Sequence, residues 1–271
     1  MTMASPADSS ASGLLDRQRI IAKAGFNRWL VPPAALAIHL CIGMAYGFSV
    51  FWLPMTHLIP NADEAVCAQQ GFIAELVTTS CNWSVPSVTH IFEIFIAVLG
   101  ISAAIWGGWL EHAGPRKAGF IAALCWGGGL VLAGLAVMIH QLWLLYLVAV
   151  ICGVGQGLGY ITPVSTLIKW FPDRRGMATG LAIMGYGGGA MIGAPLAVWF
   201  IGRFTDNGVP GVALALIALG AIYFVFMAAG AFAFRVSPSG WLPLGWTPPA
   251  NASGNAMITH RHVHLDQVLK T

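Results

Sequence analysis

One stretch constrains the fold of this chain more than any other: residues 142–168 carry no charged side chain. A membrane-crossing helix needs about 20 predominantly apolar residues, so this run is long enough to span a bilayer. A second uncharged run, residues 177–201, follows after a short segment that contains Lys169, Arg174 and Arg175. The pattern predicts two membrane helices that meet at the cytoplasmic face, where basic connectors are retained.

Glycines in these two runs are spaced as on one side of a helix. Gly185, Gly189 and Gly193 recur at every fourth residue, and Gly155 and Gly159 form a shorter stripe upstream. Residues four apart lie on one face, so the stripes predict close helix packing. A dinucleotide-binding loop is not indicated, because the glycines between positions 153 and 159 alternate strictly and form no G-x-G-x-x-G pattern.

The composition indicates an integral membrane protein. Charged residues form 8% of the chain and hydrophobic residues 57%, whereas soluble domains carry about 25% charged residues. The cations sit in short connecting segments, which argues against nucleic-acid binding. Long apolar runs predict an all-α membrane protein with six spanning helices, over residues 29–53, 88–110, 118–139, 142–170, 177–201 and 212–234.

The distribution of positive charge predicts the orientation of these helices. Only Arg203 falls on the outer side when the N-terminus is placed in the cytoplasm. The remaining cations then share the inner side, as the positive-inside rule requires: Arg17, Arg19, Lys23, Arg28, Arg116, Lys117, Lys169, Arg174, Arg175, Arg235, Arg261 and Lys270. We therefore expect a multi-pass protein of the cell membrane with both termini in the cytoplasm. It divides into a tail (1–28), a six-helix domain (29–234) and a linker (235–271).

The predicted external loop, residues 55–87, holds two cysteines and several acidic residues. Cys67 and Cys81 either form a disulfide, as an oxidising exterior permits, or remain two free thiols. Three histidines in the linker, at positions 260, 262 and 264, lack an accompanying cysteine or carboxylate cluster and favour a solvated segment over a metal site. No nucleophile–base arrangement or phosphate loop is present, so we expect no enzyme activity and no cofactor.

The segment between the second and third spans resembles a known transporter signature. It reads Gly107-Gly108-Trp109-Leu110-Glu111-His112-Ala113-Gly114-Pro115-Arg116-Lys117 and is similar to the signature of the major facilitator superfamily. Glu111 stands where that signature usually has Asp, and His112 where it has Arg or Lys. The resemblance assigns a conformational role to Gly107, Glu111, Gly114, Arg116 and Lys117.

Further matches resemble the oxalate/formate antiporter branch of that superfamily. They are Arg28-Trp29, the run Lys169-Trp170-Phe171-Pro172-Asp173-Arg174-Arg175-Gly176, and Gly185-Tyr186-Gly187. In that family twelve helices form two halves, each built from two inverted three-helix repeats, with the substrate between the halves. The resemblance implies that this chain supplies the N-terminal half. Residues 265–271 resemble the segment that leads into helix seven, which implies that the chain stops just before the second half.

The resemblance also suggests which side chains face the transport path. Tyr46, Tyr160 and Tyr186 correspond to path-facing tyrosines, and a phenol can donate to a carboxylate without carrying charge; packed or interfacial tyrosines are the alternative. Gln156 either lines the path or makes a helix–helix hydrogen bond. His39 fits a hydrogen bond to a neighbouring carbonyl better than a proton relay.

The hinge residues Asp173, Arg174 and Arg175, together with Lys169 and Glu111, are expected to form a cytoplasmic ion-pair network as well as to set orientation. The family's substrate-neutralising cations belong to the second half, so a complete path requires that half or a second copy.

Two functions follow as hypotheses. The first is a secondary transporter, truncated here, for small carboxylates such as oxalate, formate or related monocarboxylates, working by alternating access in contact with membrane lipid. The second is a non-transporting helix-packing module or inactive fragment, in which the glycine stripes serve packing alone.

Overall fold

A computed structural model describes residues 13–67, 71–205 and 209–247. Six helices in this part of the chain are long and apolar enough to cross a membrane, which confirms the all-α prediction with six spans. The first span covers Arg28–Met55 and contains helix α1 (Val31–Ile42). The others are α2 (Val85–Ala113), α3 (Pro115–Met138), α4 (Leu142–Trp170), α5 (Arg175–Phe204) and α6 (Gly211–Ala233).

Capping residues explain why the observed helices extend beyond the predicted apolar runs. The side chain of Ser84 accepts a hydrogen bond from the backbone N–H of Ser87, and Pro86 occupies the first turn of α2. Such residues satisfy or remove the free N–H groups at a helix start. At the other end of α2, Gly114 has φ of 86° and separates it from α3. The predicted bounds 88–110 counted apolar residues only and so missed these turns.

The first span is not one regular helix, although residues 29–53 were predicted as one. It begins as a 3₁₀ turn (Arg28–Leu30), continues as α1, changes to a 3₁₀ helix over Gly43–Phe51 and ends with Trp52–Met55. At the change of helix type, Trp126 Nε1 donates to the Cys41 carbonyl (3.1 Å) and Gln156 Nε2 to the Ile42 carbonyl (2.6 Å). Side chains from α3 and α4 therefore bind the backbone of span one where its hydrogen-bonding pattern changes.

The helices pack through glycines. Helix α3 lies against α4 and α6, α2 lies against α4, and span one packs on α5. Each of the five glycines expected to serve packing faces a neighbouring helix. A Cβ at Gly155 would lie 2.6 Å from Trp126 N, at Gly159 3.2 Å from Ile42 Cγ2, at Gly185 2.8 Å from Leu36 Cδ2, at Gly189 2.6 Å from Gly43 Cα and at Gly193 2.5 Å from Met44 Sδ.

One end of the bundle, here called the disulfide end, is closed by the connection between span one and α2. Cys67 and Cys81 are joined by a disulfide, and the residues between them include the short helix Phe72–Glu75. The Glu75 carboxylate accepts hydrogen bonds from Ser87 Oγ (2.7 Å) and from the Ser84 backbone N–H. The connection is therefore tied to the first turn of α2.

The opposite end, here called the basic end, holds the segments before span one and after α6. Val236 N donates to the Ile20 carbonyl and Ala22 N to the Val236 carbonyl, both at 2.9 Å. Trp170 Nε1 donates to the Arg235 carbonyl (2.8 Å). The part of the tail that the structure covers is thus packed onto the start of the linker.

His140 gives the disulfide end a pH dependence. Its Nε2 donates to the Cys81 carbonyl (2.8 Å), and its ring stacks on Trp83 with the centroids 4.4 Å apart. Burial lowers the pKa of His140, and the bond to Cys81 offsets only part of that effect. The unfolded chain takes up a proton near pH 6.5, whereas the folded ring does so only at lower pH. Stability from this site is therefore complete above about pH 6.5 and falls on acidification.

We expect His140→Asn to unfold with a weaker dependence on pH than the wild type below about pH 6.5. Asparagine tolerates the positive φ of this position, 50°, so the variant removes titration with little backbone strain. Thermal unfolding in detergent across a pH series measures the difference. His57→Asn, at an exposed histidine of the same end, is the control and should follow the wild type. Equal acid sensitivity of His140→Asn and wild type would contradict the assignment.

Candidate functional site

A cluster of aromatic and polar side chains lies between span one, α4 and α5. The ring centroids of Tyr46 and Tyr186 are 5.1 Å apart, as are those of Tyr160 and Tyr186, both in edge-to-face geometry. Tyr186 donates its hydroxyl to Gln156 Oε1 (3.3 Å). The three tyrosines assigned to the path by resemblance thus meet Gln156 in one place, which we call the tyrosine cluster: Tyr46, Tyr160, Tyr186 and Gln156.

The cluster runs from the protein surface to its interior. Tyr46 is 65% exposed, Tyr186 is 8% exposed and Gln156 is fully buried at the midpoint of α4. Gln156 bridges span one and α5, because it donates to the Ile42 carbonyl and accepts from Tyr186. In this conformation its contacts are those of a helix–helix hydrogen bond, and its side chain lies behind Tyr186.

Two hydroxyls of the cluster are open to a ligand. Within residues 13–67, 71–205 and 209–247, no protein group hydrogen-bonds the hydroxyl of Tyr46 or of Tyr160. Tyr46 is exposed and Tyr160 half-buried, so neither hydroxyl is sealed in the core. A phenol that donates outward can bind a carboxylate oxygen, and its aromatic ring can cover the apolar part of a small ligand.

His39 lies directly beside the tyrosine cluster. Its ring is fully buried, 5.8 Å from the ring of Tyr160 and 6.2 Å from that of Tyr186. Nδ1 is 2.8 Å from the Ala182 carbonyl oxygen and Nε2 is 3.1 Å from the Tyr160 carbonyl oxygen. Both contacts are with backbone carbonyls, which agrees with the preferred sequence interpretation of this residue.

The ion pairs at the basic end fall into two separate groups, one around Glu111 and one around Asp173, rather than the single network that was expected. Glu111 accepts from Lys169 and, at 2.9 Å, from Ser165 Oγ, linking the end of α2 to α4. Asp173 instead binds Arg28, with Nη1–Oδ1 at 2.6 Å and Nη2–Oδ2 at 2.9 Å. Each acid therefore has its own principal partner.

The other two hinge cations, Arg174 and Arg175, take little part in the ion pairs at the basic end. Arg174 Nε is 3.8 Å from Asp173 Oδ2 and its side chain is 56% exposed. Arg175 is exposed and forms no ion pair with any residue that the structure covers. The hinge thus holds span one through Asp173 and leaves Arg175 at the surface.

The remaining signature residues have structural contacts. Arg116 is buried and donates to the Leu14 carbonyl (3.1 Å) and the Phe232 carbonyl (2.9 Å), joining the tail to the end of α6. Lys117 Nζ lies 6.0 Å from the Trp109 ring centroid. Gly107 has open space around it, whereas a Cβ at Gly114 would lie 3.0 Å from Arg17 Cβ.

Sequence reasoning missed three residues that organise this region. Arg28 was noted as part of a motif, but its partner Asp173 lies 145 residues away and no local pattern connects them. The same holds for Trp126, because the Cys41 carbonyl that its indole N–H binds lies 85 residues away. Gly43 did have a signal, because Gly43 and Gly47 repeat the four-residue spacing found in α5.

The structure offers no metal centre in the part of the chain that it covers: no group of three or more His, Cys, Asp or Glu side chains there is arranged to hold an ion. The three linker histidines at positions 260, 262 and 264 lie outside the described residues.

Comparison with known proteins gives a family match over most of the chain. The model of the Major Facilitator Superfamily matches residues 36–267. The chain is 32% identical over 148 residues to an oxalate:formate antiporter of Oxalobacter formigenes, covering 54% of this chain and 34% of that relative. It is 28% identical over 165 residues to the uncharacterized MFS-type transporter YhjX of Escherichia coli (strain K12), covering 61% and 35%.

A further relative is monocarboxylate transporter 13 of Rattus norvegicus, 31% identical over 143 residues, with 50% of this chain and 32% of the relative covered. The chain spans about a third of the length of the curated relatives that it matches.

Proposed function

The chain belongs to the major facilitator superfamily, and from this premise we propose that it forms one six-helix lobe of a secondary transporter for small carboxylates such as oxalate, formate or related monocarboxylates. Two of the relatives are named for carboxylate transport, which supports this substrate class. In the proposed mechanism the lobe rocks against a second six-helix lobe around a site near the bilayer midplane.

The observation that carries the proposal is the tyrosine cluster. A hydroxyl in the hydrocarbon part of a bilayer costs free energy unless it finds a partner or water. Tyr46 lies within span one, is 65% exposed and has no protein partner among the described residues. A face that presents such a hydroxyl is better suited to an aqueous path than to lipid. This favours transport over the packing-module alternative, in which glycine contacts alone would be needed.

The cluster supplies hydrogen-bond donors but no Lys or Arg. An anion near the bilayer centre is costly without compensating charge. We therefore propose that a second lobe, either a C-terminal half or a second copy of this chain, completes the site and provides cations. Small carboxylate, second lobe and surrounding lipid are the proposed partners.

The basic end is proposed to face the cytoplasm of a cell-membrane protein, because positive connectors are retained there. The pair Glu111–Lys169 joins α2 to α4, and the pair Asp173–Arg28 joins the hinge to span one. Ion pairs between helices of this kind can hold one conformation and break in the other. We assign these two pairs a conformational role rather than a substrate-binding one.

We expect Tyr46→Phe to lower the uptake of labelled oxalate or formate roughly tenfold, since a hydrogen bond to a charged group contributes about 1.5–3 kcal/mol. The measurement is initial uptake into liposomes that contain the chain and a second lobe. Folding should be unaffected, because the Tyr46 hydroxyl makes no hydrogen bond in the described part of the chain and the ring that packs on Tyr186 is kept.

Tyr223→Phe is the matched control. The Tyr223 hydroxyl is buried without a hydrogen-bond partner among the described residues, so its removal should leave uptake at the wild-type rate. Equal uptake by Tyr46→Phe and wild type would contradict the role of the cluster. Uptake absent from the wild type in every arrangement would instead favour the packing module.

A further inference from the structure

Both ring nitrogens of His39 face backbone carbonyl oxygens. Nδ1 faces the Ala182 carbonyl of α5 at 2.8 Å, and Nε2 faces the Tyr160 carbonyl of α4 at 3.1 Å. A carbonyl oxygen only accepts, so each contact needs an N–H on the imidazole side. A neutral imidazole carries one N–H and the imidazolium carries two. Only the protonated ring makes both hydrogen bonds.

Within residues 13–67, 71–205 and 209–247, no charged side chain is hydrogen-bonded to His39 in place of the two carbonyls. The titratable side chains facing the ring are Tyr160 from α4 and Tyr186 from α5. Cys41 follows on span one itself, and Tyr223 of α6 lies near Cys41. Among the described residues no Asp, Glu, Lys or Arg is hydrogen-bonded to the ring. The two carbonyl oxygens are therefore the groups that would stabilise its charge.

We propose that His39 is a proton-binding site whose protonation ties span one to α4 and α5 at the same time. A proton taken from water converts the imidazole to imidazolium, and the second hydrogen bond forms. When the proton returns to water, one nitrogen presents a lone pair to a carbonyl oxygen, so that contact becomes unfavourable. Because Tyr160 and Ala182 belong to different helices, proton loss releases one of them from span one.

Proton occupancy thus biases the packing of span one within the lobe. A ligand or proton shifts a conformational equilibrium when it binds one state more tightly than the other. His39 lies beside the tyrosine cluster, so the state that it stabilises includes the proposed substrate face. This inference depends on the proposed function in one respect only, namely that the proton bound by His39 is the ion coupled to carboxylate transport.

The direct test is the protonation state of His39 in the purified chain, in lipid nanodiscs with ¹⁵N-labelled histidine. The chain has 8 histidines. The His39 signals are identified by their correlation with the His39 Cβ and because they are missing from the spectrum of His39→Gln. We expect both ring nitrogens of His39 to carry protons in the acidic part of a series from about pH 5 to pH 8. A single ring proton at every pH from about 5 to 8 would overturn the proposal.

A second readout follows the packing. The difference in thermal stability between the wild type and His39→Gln should change between about pH 5 and pH 8, because its source is a proton-binding group, while His112→Gln, at an exposed histidine, should follow the wild type throughout. A difference that is constant with pH overturns the site. If His39→Gln does not fold, the wild-type spectrum remains decisive.

Neither measurement uses transport, so the two proposals fail separately. A singly protonated His39 overturns the proton site and leaves carboxylate uptake untouched. A doubly protonated His39 in a protein without uptake overturns the proposed function and keeps the proton site.

Discussion

Replacing Gly189 with alanine is expected to destabilise the folded chain by about 3 kcal/mol, near the upper end of the usual cost of overpacking. A Cβ at Gly189 would overlap the Leu40 carbonyl oxygen and lie 2.6 Å from Gly43 Cα. These are backbone atoms and cannot rotate away, so span one and α5 would have to separate. Gly43→Ala should have a similar effect, since its Cβ would overlap the Tyr186 carbonyl oxygen.

Gly187→Ala is the matched control on the same helix. Apart from its own stretch of helix, no part of the described protein lies within 4 Å of the position that its Cβ would occupy, and alanine favours helix over glycine by about 0.8–1 kcal/mol. We therefore expect Gly187→Ala to be neutral or slightly stabilising. The measurement is reversible unfolding in mixed micelles, with the folded fraction followed by tryptophan fluorescence. Equal stability of Gly189→Ala and Gly187→Ala would show that span one and α5 do not cross at this glycine pair.

Breaking the pair between Arg28 and Asp173 is the second large effect that we expect. The Arg28 guanidinium makes two hydrogen bonds to the Asp173 carboxylate, and the two side chains are only 18% and 14% exposed. It also lies 4.7 Å from the Phe171 ring centroid. Because charge-assisted hydrogen bonds contribute about 1.5–3 kcal/mol, Arg28→Gln should cost about 2 kcal/mol and loosen the hinge before α5.

A double-mutant cycle separates the pair from the other contacts of each residue. Arg28→Gln and Asp173→Asn should together cost clearly less than the sum of the single changes, with a coupling of about 1–2 kcal/mol. Arg175→Gln removes the same charge from an exposed neighbour that has no ion pair in the described part of the chain, and it should leave stability unchanged. Strictly additive single effects would contradict the pair.

The six spans were predictable because each consists of an apolar run longer than a bilayer is thick. The ends of the spans were less predictable, because the cap at Ser84 and the helical turn around Glu111 lie outside the apolar runs. The change from α to 3₁₀ geometry at Gly43 was not predictable, because it accompanies hydrogen bonds from Trp126 and Gln156, which are distant in sequence.

The candidate site was predicted in part, and through resemblance rather than periodicity. The motif positions pointed to Tyr46, Tyr160 and Tyr186, which the structure brings into edge-to-face contact. The sequence alone does not reveal that Gln156 lies behind Tyr186 or that His39 faces two carbonyls. Both arrangements depend on how span one crosses α4 and α5, which only the packed helices define.

The most direct test of the account is uptake of labelled oxalate and formate into liposomes by the chain with and without a second lobe. The second lobe is supplied either by any coding sequence that continues beyond Thr271 or by a linked second copy of the chain. We predict uptake that requires the second lobe and is abolished when the unlabelled carboxylate is in excess. A folded, membrane-inserted assembly that takes up neither anion in either arrangement would contradict the proposal that this chain is one lobe of a carboxylate transporter.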